Sequence, residues 1–243
     1  MMSTVSPAPP PTIRFALALS WAFRTVLDRV LPASLFGFVA ASRLHLLIQR
    51  LHQTAPLDDA EALLIYRLDL IHQAVAGAFL ALVAVLCLTR KAPRTQRAGL
   101  LPITVALAGT LMMVYPAMQP RTLDDRWILV AASLLVIVGL AYTLYAVGNL
   151  GSCFGIAPEA RGLVMSGAYR HVRHPVYLGE FIAALGVLLP VLSPLTAAAF
   201  LLFIAFQRSR VHLEERVLES AFPAYAEYRQ TVPMLFPWPR PAR

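Results

Sequence analysis

Charge is scarce in this chain: only 14% of its 243 residues are Asp, Glu, Lys or Arg, where a water-soluble domain carries about 25%. With 58% hydrophobic residues and a mean hydropathy of +0.64, that scarcity excludes an ordinary soluble globule. Cysteine is nearly absent. Cys87 lies in an apolar run and Cys153 in a polar connection, which leaves neither a disulfide framework nor metal-ligand spacing. A glycine-rich phosphate fingerprint is missing as well. Lysine is reduced to Lys91 among 21 basic residues, an arginine bias of the kind that GC-rich bacterial genomes produce. The Pro-rich start, Met1 to Thr12, has no basic stretch ahead of an apolar one and does not read as a signal peptide. Acidic residues are also few, 13 against 21 basic, for a net charge of +8. The basic residues punctuate apolar runs instead of forming a stripe, so nucleic acid is not the expected partner.

Long apolar runs are what the chain has in quantity. A helix needs about 20 mostly apolar residues to cross the hydrocarbon core. Six stretches reach or approach that length: Val30–Ile48, Leu70–Leu88, Gly99–Met118, Trp127–Val147, Val176–Leu189 and Leu195–Phe206. Pro190 and Pro194 bracket the junction of the last two, which reads as a tight helical hairpin. Ile13–Asp28 is a weaker amphipathic stretch suited to the membrane interface. The expected fold is an all-α integral membrane bundle of five to six transmembrane helices, the last two forming the hairpin, followed by a cytoplasmic C-terminal helix. Six full crossings and five plus a re-entrant hairpin both fit. The chain divides into an N-terminal cytoplasmic or interfacial segment (1–29), four spans (30–147) and a C-terminal unit (148–243).

Arginine placement orients these spans. With the N-terminus inside, the inner segments hold Arg14, Arg24 and Arg29, then Arg90, Lys91, Arg94 and Arg97, then Arg161, Arg170 and Arg173, and finally the Arg-rich tail from Arg208. The outer loops hold Arg50, Arg121 and Arg126 against Asp58, Asp59, Glu61, Asp124 and Asp125. The positive-inside rule then puts both termini and the 150–175 loop in the cytoplasm, and the expected location is a bacterial inner membrane.

Two polar clusters sit on that inner face. The first runs Gly167-x-Tyr169-Arg170-x-x-Arg173-His174-Pro175-x-Tyr177-x-Gly179. Pro175 biases His174 away from helix and marks the entry to the fifth span. The start of that helix attracts anions, although such a loop taken alone is also an ordinary basic juxtamembrane segment. The second cluster, Arg208 to Glu219, reads as a helix continuing out of the sixth span. Arg210 and Glu214 share one face at i and i+4, and Arg208, His212, Glu215 and Glu219 share another. A solvated, ion-paired helix is the plain reading, and a site at the membrane boundary the sharper one. Phe222, Tyr225, Tyr228, Val232, Leu235, Phe236 and Trp238 follow as an aromatic cover able to fold back or lie in the interface. Tyr142, Tyr145 and Asn149 approach the same face from the fourth span and are expected to line the cavity there, while Arg43, His45, Arg67, Asp69 and His72 sit toward the outer face as pairing or helix-packing residues.

Taken together and in order, the two motifs around a proline-turned hairpin resemble the isoprenylcysteine carboxyl methyltransferase family, within a wider group that includes phospholipid N-methyltransferases. The resemblance covers roughly 145–237 and makes 148–243 the methyltransferase core. It implies S-adenosylmethionine as cofactor, lined by Arg161, Gly162, Leu163, Val164, Tyr169, His174, Pro175, Val176 and Tyr177 and contacted by Glu214. It also implies that Arg210 faces the acceptor as the catalytic and substrate-binding residue. An Arg fork suits a carboxylate, and aromatic faces tolerate a sulfonium cation. Catalysis would then consist mainly of alignment and water exclusion, with no metal.

Glu180 departs from the family pattern. A carboxylate entering an apolar helix is costly unless it is paired or reaches water, so it is expected either to snorkel at the boundary or pair with Arg173 or Arg208, or to bind substrate by attracting a cationic acceptor. Three acceptors stay open: an isoprenylcysteine-type carboxylate, a lipid amine and a small thiol. The partners implied are that acceptor and membrane lipids, and the sequence leaves oligomeric state undetermined. An NADPH-dependent membrane reductase of sterol-like substrates and a non-catalytic protein of the same architecture are the competing functions.

Overall fold

The structure, a computed structural model, describes residues 25–57, 59–93, 104–105, 108–109, 112–156 and 158–236. Among these residues every regular element is helical. α1 spans Leu31–Leu51, α2 Ala60–Thr89, α3 the single turn Val114–Ala117, α4 Arg126–Leu150, α5 Pro175–Leu188, α6 Pro194–Ala221 and α7 Tyr225–Thr231. α1, α2 and α4 are long and apolar enough to cross a bilayer, and α5 is a shorter apolar helix. The chain is an integral membrane protein.

The expected spans fall largely on helices where they are described. Nine of the 20 residues of Gly99–Met118 lie outside the described residues, and 104–105, 108–109 and α3 are helical pieces of it. The interfacial stretch Ile13–Asp28 is also almost wholly outside them. From Thr25 the chain is already helical, and a π-helical turn at Val26–Val30 runs directly into α1. α6 carries the sixth apolar stretch and the second polar cluster on one continuous helix of 28 residues.

Local chemistry sets the helix starts. The Asp59 carboxylate accepts from the amides of Glu61 and Ala62 at 2.9 and 3.1 Å, and Asp125 does the same for Trp127 and Ile128. Each satisfies two amide donors that a helix N-terminus leaves open. Ser193 and Thr196 form a reciprocal capping box at the start of α6, just after the 3₁₀ turn Leu189–Val191. The hairpin turn is therefore as tight as the prolines predict. Toward the opposite end of the bundle, Arg50 pairs with Asp69 at 2.8 Å and Arg126 with Glu61, tying α1 and α4 to α2. Arg43 donates to Gln73 at 3.2 Å, and His45 bonds to Gln49 on its own helix.

The principal packing surface of α5 is along α4 rather than along its hairpin partner α6. Gly179, Ala183 and Gly186 of α5 face Ala132, Val136, Gly139 and Thr143 of α4. A Cβ placed on Gly179 would lie 2.7 Å from the Gly139 carbonyl oxygen and 2.9 Å from the Thr143 nitrogen. Small residues spaced this way let two backbones touch, which is how apolar helices associate where lipid removes the hydrophobic drive. A glycine in a helix costs about 1 kcal/mol relative to alanine, and the close approach offsets that. Ala184 and Leu188 pack with Phe200 and Phe203 to join α5 to α6. α5 thus hangs on α4 with its first turn, beginning at Pro175, presented beside the polar half of α6.

Candidate active site

The loop between α4 and α5 is pinned before it reaches that first turn. Gly167 has φ of +60°, and a Cβ there would collide with the Asn149 side-chain oxygen, so the position requires glycine. Asn149 accepts from the Ala168 amide at 3.1 Å and donates to the Tyr145 carbonyl at 2.7 Å. This locks the 3₁₀ turn Gly167–Arg170 to the end of α4. Asn149 therefore positions the loop, whereas it was expected to line a cavity. Tyr142 and Tyr145 do not line the cleft described below either, and Tyr145 is largely exposed.

Arg173 and His174 come next, and both are buried. Arg173 Nε donates to Glu215 Oε1 at 2.8 Å, and its Nη1 donates to the carbonyls of Arg229 and Val232 at 2.8 and 2.7 Å. His174 Nε2 lies 3.2 Å from the same Glu215 oxygen. Burial would raise the Glu215 carboxyl, but the His174 hydrogen bond and the Arg173 charge outweigh it and bring Glu215 down to about 2. An ionised carboxylate only accepts, so His174 carries its proton on Nε2 and turns Nδ1 to Glu214, 3.8 Å away. Glu215 was grouped with Arg208, His212 and Glu219 on a solvated face. Those three are exposed, but Glu215 is buried at the centre of this network.

The C-terminal segment folds back over the network. The amides of Arg173 and His174 donate to the carbonyls of Pro233 and Met234 at 2.9 and 3.1 Å. Tyr228 Oη donates to the Tyr169 carbonyl at 2.5 Å. Burial pushes the Tyr228 phenol up to about 12, so it holds that proton at any physiological pH. Phe236 meets Phe181 edge-on at 6.4 Å between centroids. Of the two placements open to the aromatic cover, the chain adopts the fold-back. Trp238 lies outside the described residues.

One helical position from Glu215, Glu214 points the other way and accepts the Tyr177 hydroxyl. The Arg210 guanidinium lies over the Tyr177 ring, 4.9 Å from its centroid, a cation–π arrangement. Arg210 Nη1 donates to Gln207 Oε1 at 3.0 Å and stands 3.9 Å from Glu180 Oε2, which also accepts from Gln207 Nε2. Arg210 Nε is buried and has no hydrogen-bond partner among the described residues. Glu180 thus pairs with Arg210 and Gln207, whereas Arg173 or Arg208 was expected; α6 turns Arg210 inward one turn before Glu214 and leaves Arg208 exposed. Gly109 closes this end, because a Cβ there would be 3.1 Å from Gln207 Oε1 and 3.3 Å from Arg210 Cδ.

These groups line one cleft with an empty space of about 1290 Å³, open mouth included. Gly162, Leu163, Val164, Tyr169, His174, Val176, Tyr177, Glu180, Arg210 and Glu214 all reach it. Two expected site residues do not. Arg161 is turned to Glu159 and the Lys91 carbonyl, and Pro175 is buried at the first position of α5, where it sets the helix start. Sequence reasoning missed the opposite wall, made by Phe36, Phe79 and Val83 of α1 and α2 with Cys153 and Phe154. In the sequence those positions are generic apolar residues with no motif to mark them.

Residues 130–220 match the model of the isoprenylcysteine carboxyl methyltransferase (ICMT) family. The cobalt-zinc-cadmium resistance protein CzcN of Cupriavidus metallidurans is 34% identical over 116 residues, which are 47% of this chain and 53% of that one. The protein-S-isoprenylcysteine O-methyltransferase of Saccharomyces cerevisiae is also 34% identical, over 45% of this chain and 48% of its own. Protein-S-isoprenylcysteine O-methyltransferase A of Arabidopsis thaliana is 30% identical over 51% and 64%. The chain spans about half the length of the first two of these relatives. A solved structure of the eukaryotic intramembrane Ras methyltransferase ICMT covers 95% of this chain and 87% of its own, at 17% identity and a TM-score of 0.49. The matched stretch 130–220 takes in most of α4, all of α5, nearly all of α6 and the Arg173–Glu215 pair, so the likeness to the ICMT family runs over this part of the chain.

Proposed function

We propose that this protein is a membrane methyltransferase that moves a methyl group from S-adenosylmethionine to a lipophilic or small acceptor at the cytoplasmic membrane face. Its host membrane is a bacterial inner membrane, with both termini cytoplasmic as the arginine distribution predicts. The observation that carries the reading is the convergence on one cleft of Glu214, Tyr177 and His174 with Arg210 and Glu180. The relatives named for isoprenylcysteine O-methylation support it.

The cleft fits the cofactor chemically. Gly162 packs directly on Cys153, where a Cβ would lie 2.5 Å from Sγ, so the loop and the end of α4 meet closely at this edge of the cleft. Glu214 offers a carboxylate for hydroxyl or amino groups, and Tyr169 and Tyr177 offer aromatic faces for a cation. When bound, S-adenosylmethionine supplies an electrophilic methyl group. The protein's own part is positional. Tyr177 fixes the Glu214 carboxylate by donating to it, His174 Nδ1 stands 3.8 Å from that carboxylate, and Glu215 holds His174 in place. Arg210 holds the acceptor end of the same cleft beneath Gly109. The folded-back tail, through Tyr225 and Tyr228, covers the cleft and excludes water. An acceptor that is already an anion needs no base once aligned, whereas one that arrives with a proton has to release it.

Calorimetry on detergent-purified protein tests the reading. S-adenosylmethionine and its demethylated product should bind in the micromolar range, about −8 kcal/mol. Glu214→Ala should weaken both at least about tenfold, roughly 1.4 kcal/mol. Absence of binding by folded wild-type protein, with NADPH binding in its place, would overturn the assignment in favour of a reductase.

A further inference from the structure

The acceptor end of the cleft is not a bare cationic pocket. Arg210 is already engaged there: Nη1 donates to Gln207 and faces Glu180 at 3.9 Å, while Gln207 Nε2 donates to Glu180. Gln207 therefore clasps both charges, with its oxygen on the guanidinium and its nitrogen on the carboxylate. The arrangement is rigid. Gly109 closes on Gln207 and on the Arg210 stem from one side, and the Tyr177 ring lies against the guanidinium on another. These contacts hold the Arg210 guanidinium beside Glu180. The accessibility is also lopsided, because 31% of the Glu180 side chain is accessible against 10% for Arg210. A headgroup entering the cleft meets the carboxylate first.

The other charges of the cleft do not change this balance. Arg173 is matched by Glu215, and Glu159 by Arg161. Glu214, the next carboxylate, adds a second negative group beside Tyr177. An ionised carboxylate arriving here would have to displace Glu180 from Arg210 and leave a half-buried carboxylate without its counter-charge, which is unfavourable. A headgroup carrying N–H donors meets the opposite situation. It gains Glu180 as acceptor, and the unpartnered Arg210 Nε remains available for a single neutral oxygen of the same molecule.

We propose that Glu180, clasped by Gln207 against Arg210, makes the acceptor site select a proton-bearing amine headgroup on an apolar tail, takes from it the proton that the nitrogen must lose before it can accept a methyl group, and rejects an ionised carboxylate. This rests on the methyltransferase reading, of which it names the acceptor class. The tail lies against the apolar wall of Phe36, Phe79 and Val83.

The test uses two chain-matched probes, dodecylamine and dodecanoate, titrated into full-length protein already holding the demethylated cofactor product. The amine should bind at least about tenfold more tightly than the carboxylate, about 1.4 kcal/mol. In the isosteric variant Glu180→Gln that preference should vanish or invert. The proposal is overturned if dodecanoate binds wild-type protein as well as the amine does, or if the preference persists unchanged in Glu180→Gln. Because the wild-type comparison needs no variant, a folding defect in Glu180→Gln leaves the test intact. Failure of the methyltransferase reading is separate and comes first, since it appears as absence of product binding before any probe is added.

Discussion

Replacing Glu215 by glutamine preserves shape and removes one buried charge, so its effect follows from the electrostatics of the site. The carboxyl is brought from 4.5 to about 2 despite its burial, by the His174 hydrogen bond and the Arg173 charge. At about 1.36 kcal/mol per pH unit this corresponds to roughly 3 kcal/mol of folding stability. The side chains of Arg173 and Glu215 are 6% and 5% exposed, so solvent screening does not reduce the figure much. It also agrees with the about 3–5 kcal/mol that breaking a buried pair costs. For a chain of this length about 1 kcal/mol moves Tm by roughly 2–4 °C, which predicts a loss of about 6–12 °C in Glu215→Gln at neutral pH. The pH dependence has a definite sign. A depressed carboxyl contributes its stability above its unfolded value and loses it as pH falls through the folded one. The gap between wild type and variant should be full at pH 5 and above and shrink between about pH 4.5 and 2. Thermal melts in detergent across that range measure it, with Glu214→Gln as the neighbouring comparison, since the Glu214 side chain is 25% exposed. A gap that stays constant with pH, or a larger loss in Glu214→Gln than in Glu215→Gln, would refute the assignment of Glu215 as the buried anchor.

Two further outcomes test the packing and the cleft. Gly179→Val places a branched side chain where even a Cβ meets the α4 backbone; it should lower Tm by roughly 5 °C or more and weaken S-adenosylmethionine binding, since α5 carries Tyr177 and Glu180, and an unchanged melt would show that the two helices do not touch. Cys153 lines the cleft while Cys87 is fully buried, so N-ethylmaleimide should modify only Cys153, and S-adenosylmethionine at about 100 times its Kd should slow that reaction up to about a hundredfold. Unaltered labelling with the cofactor bound would separate Cys153 from the site.

Much of the fold was legible because apolar length and proline position act locally. The spans on α1, α2, α4 and α5 follow from hydropathy, and the hairpin turn follows from Pro190 and Pro194 around the Ser193 capping box. Of the cleft residues, nine were legible through the family resemblance that the two motifs carry, and Glu180 through its departure from that pattern. Adjacent carboxylates defeated the reading, because successive helical positions point about 100° apart and only tertiary packing decides which is inward. The same ambiguity left Asn149 and Tyr145 misread on α4. The resemblance placed Arg161 with Gly162 to Val164 along the cofactor, although its guanidinium turns to Lys91 and Glu159. Phe36, Phe79 and Val83 carry no local signal at all, because their part in the cleft depends on how α1 and α2 pack against the core.

The strap over the site is held at residues 173 and 174 by main-chain amides donating to the carbonyls of Pro233 and Met234. Bonds of that kind are indifferent to the side chains on either partner. The covering segment can therefore change its residues freely while the closure persists, provided the chain keeps its length and path. The family match ends at residue 220, ahead of the segment that closes the cleft. In distant relatives, divergence beyond that point is better judged by counting residues to the strap than by comparing letters.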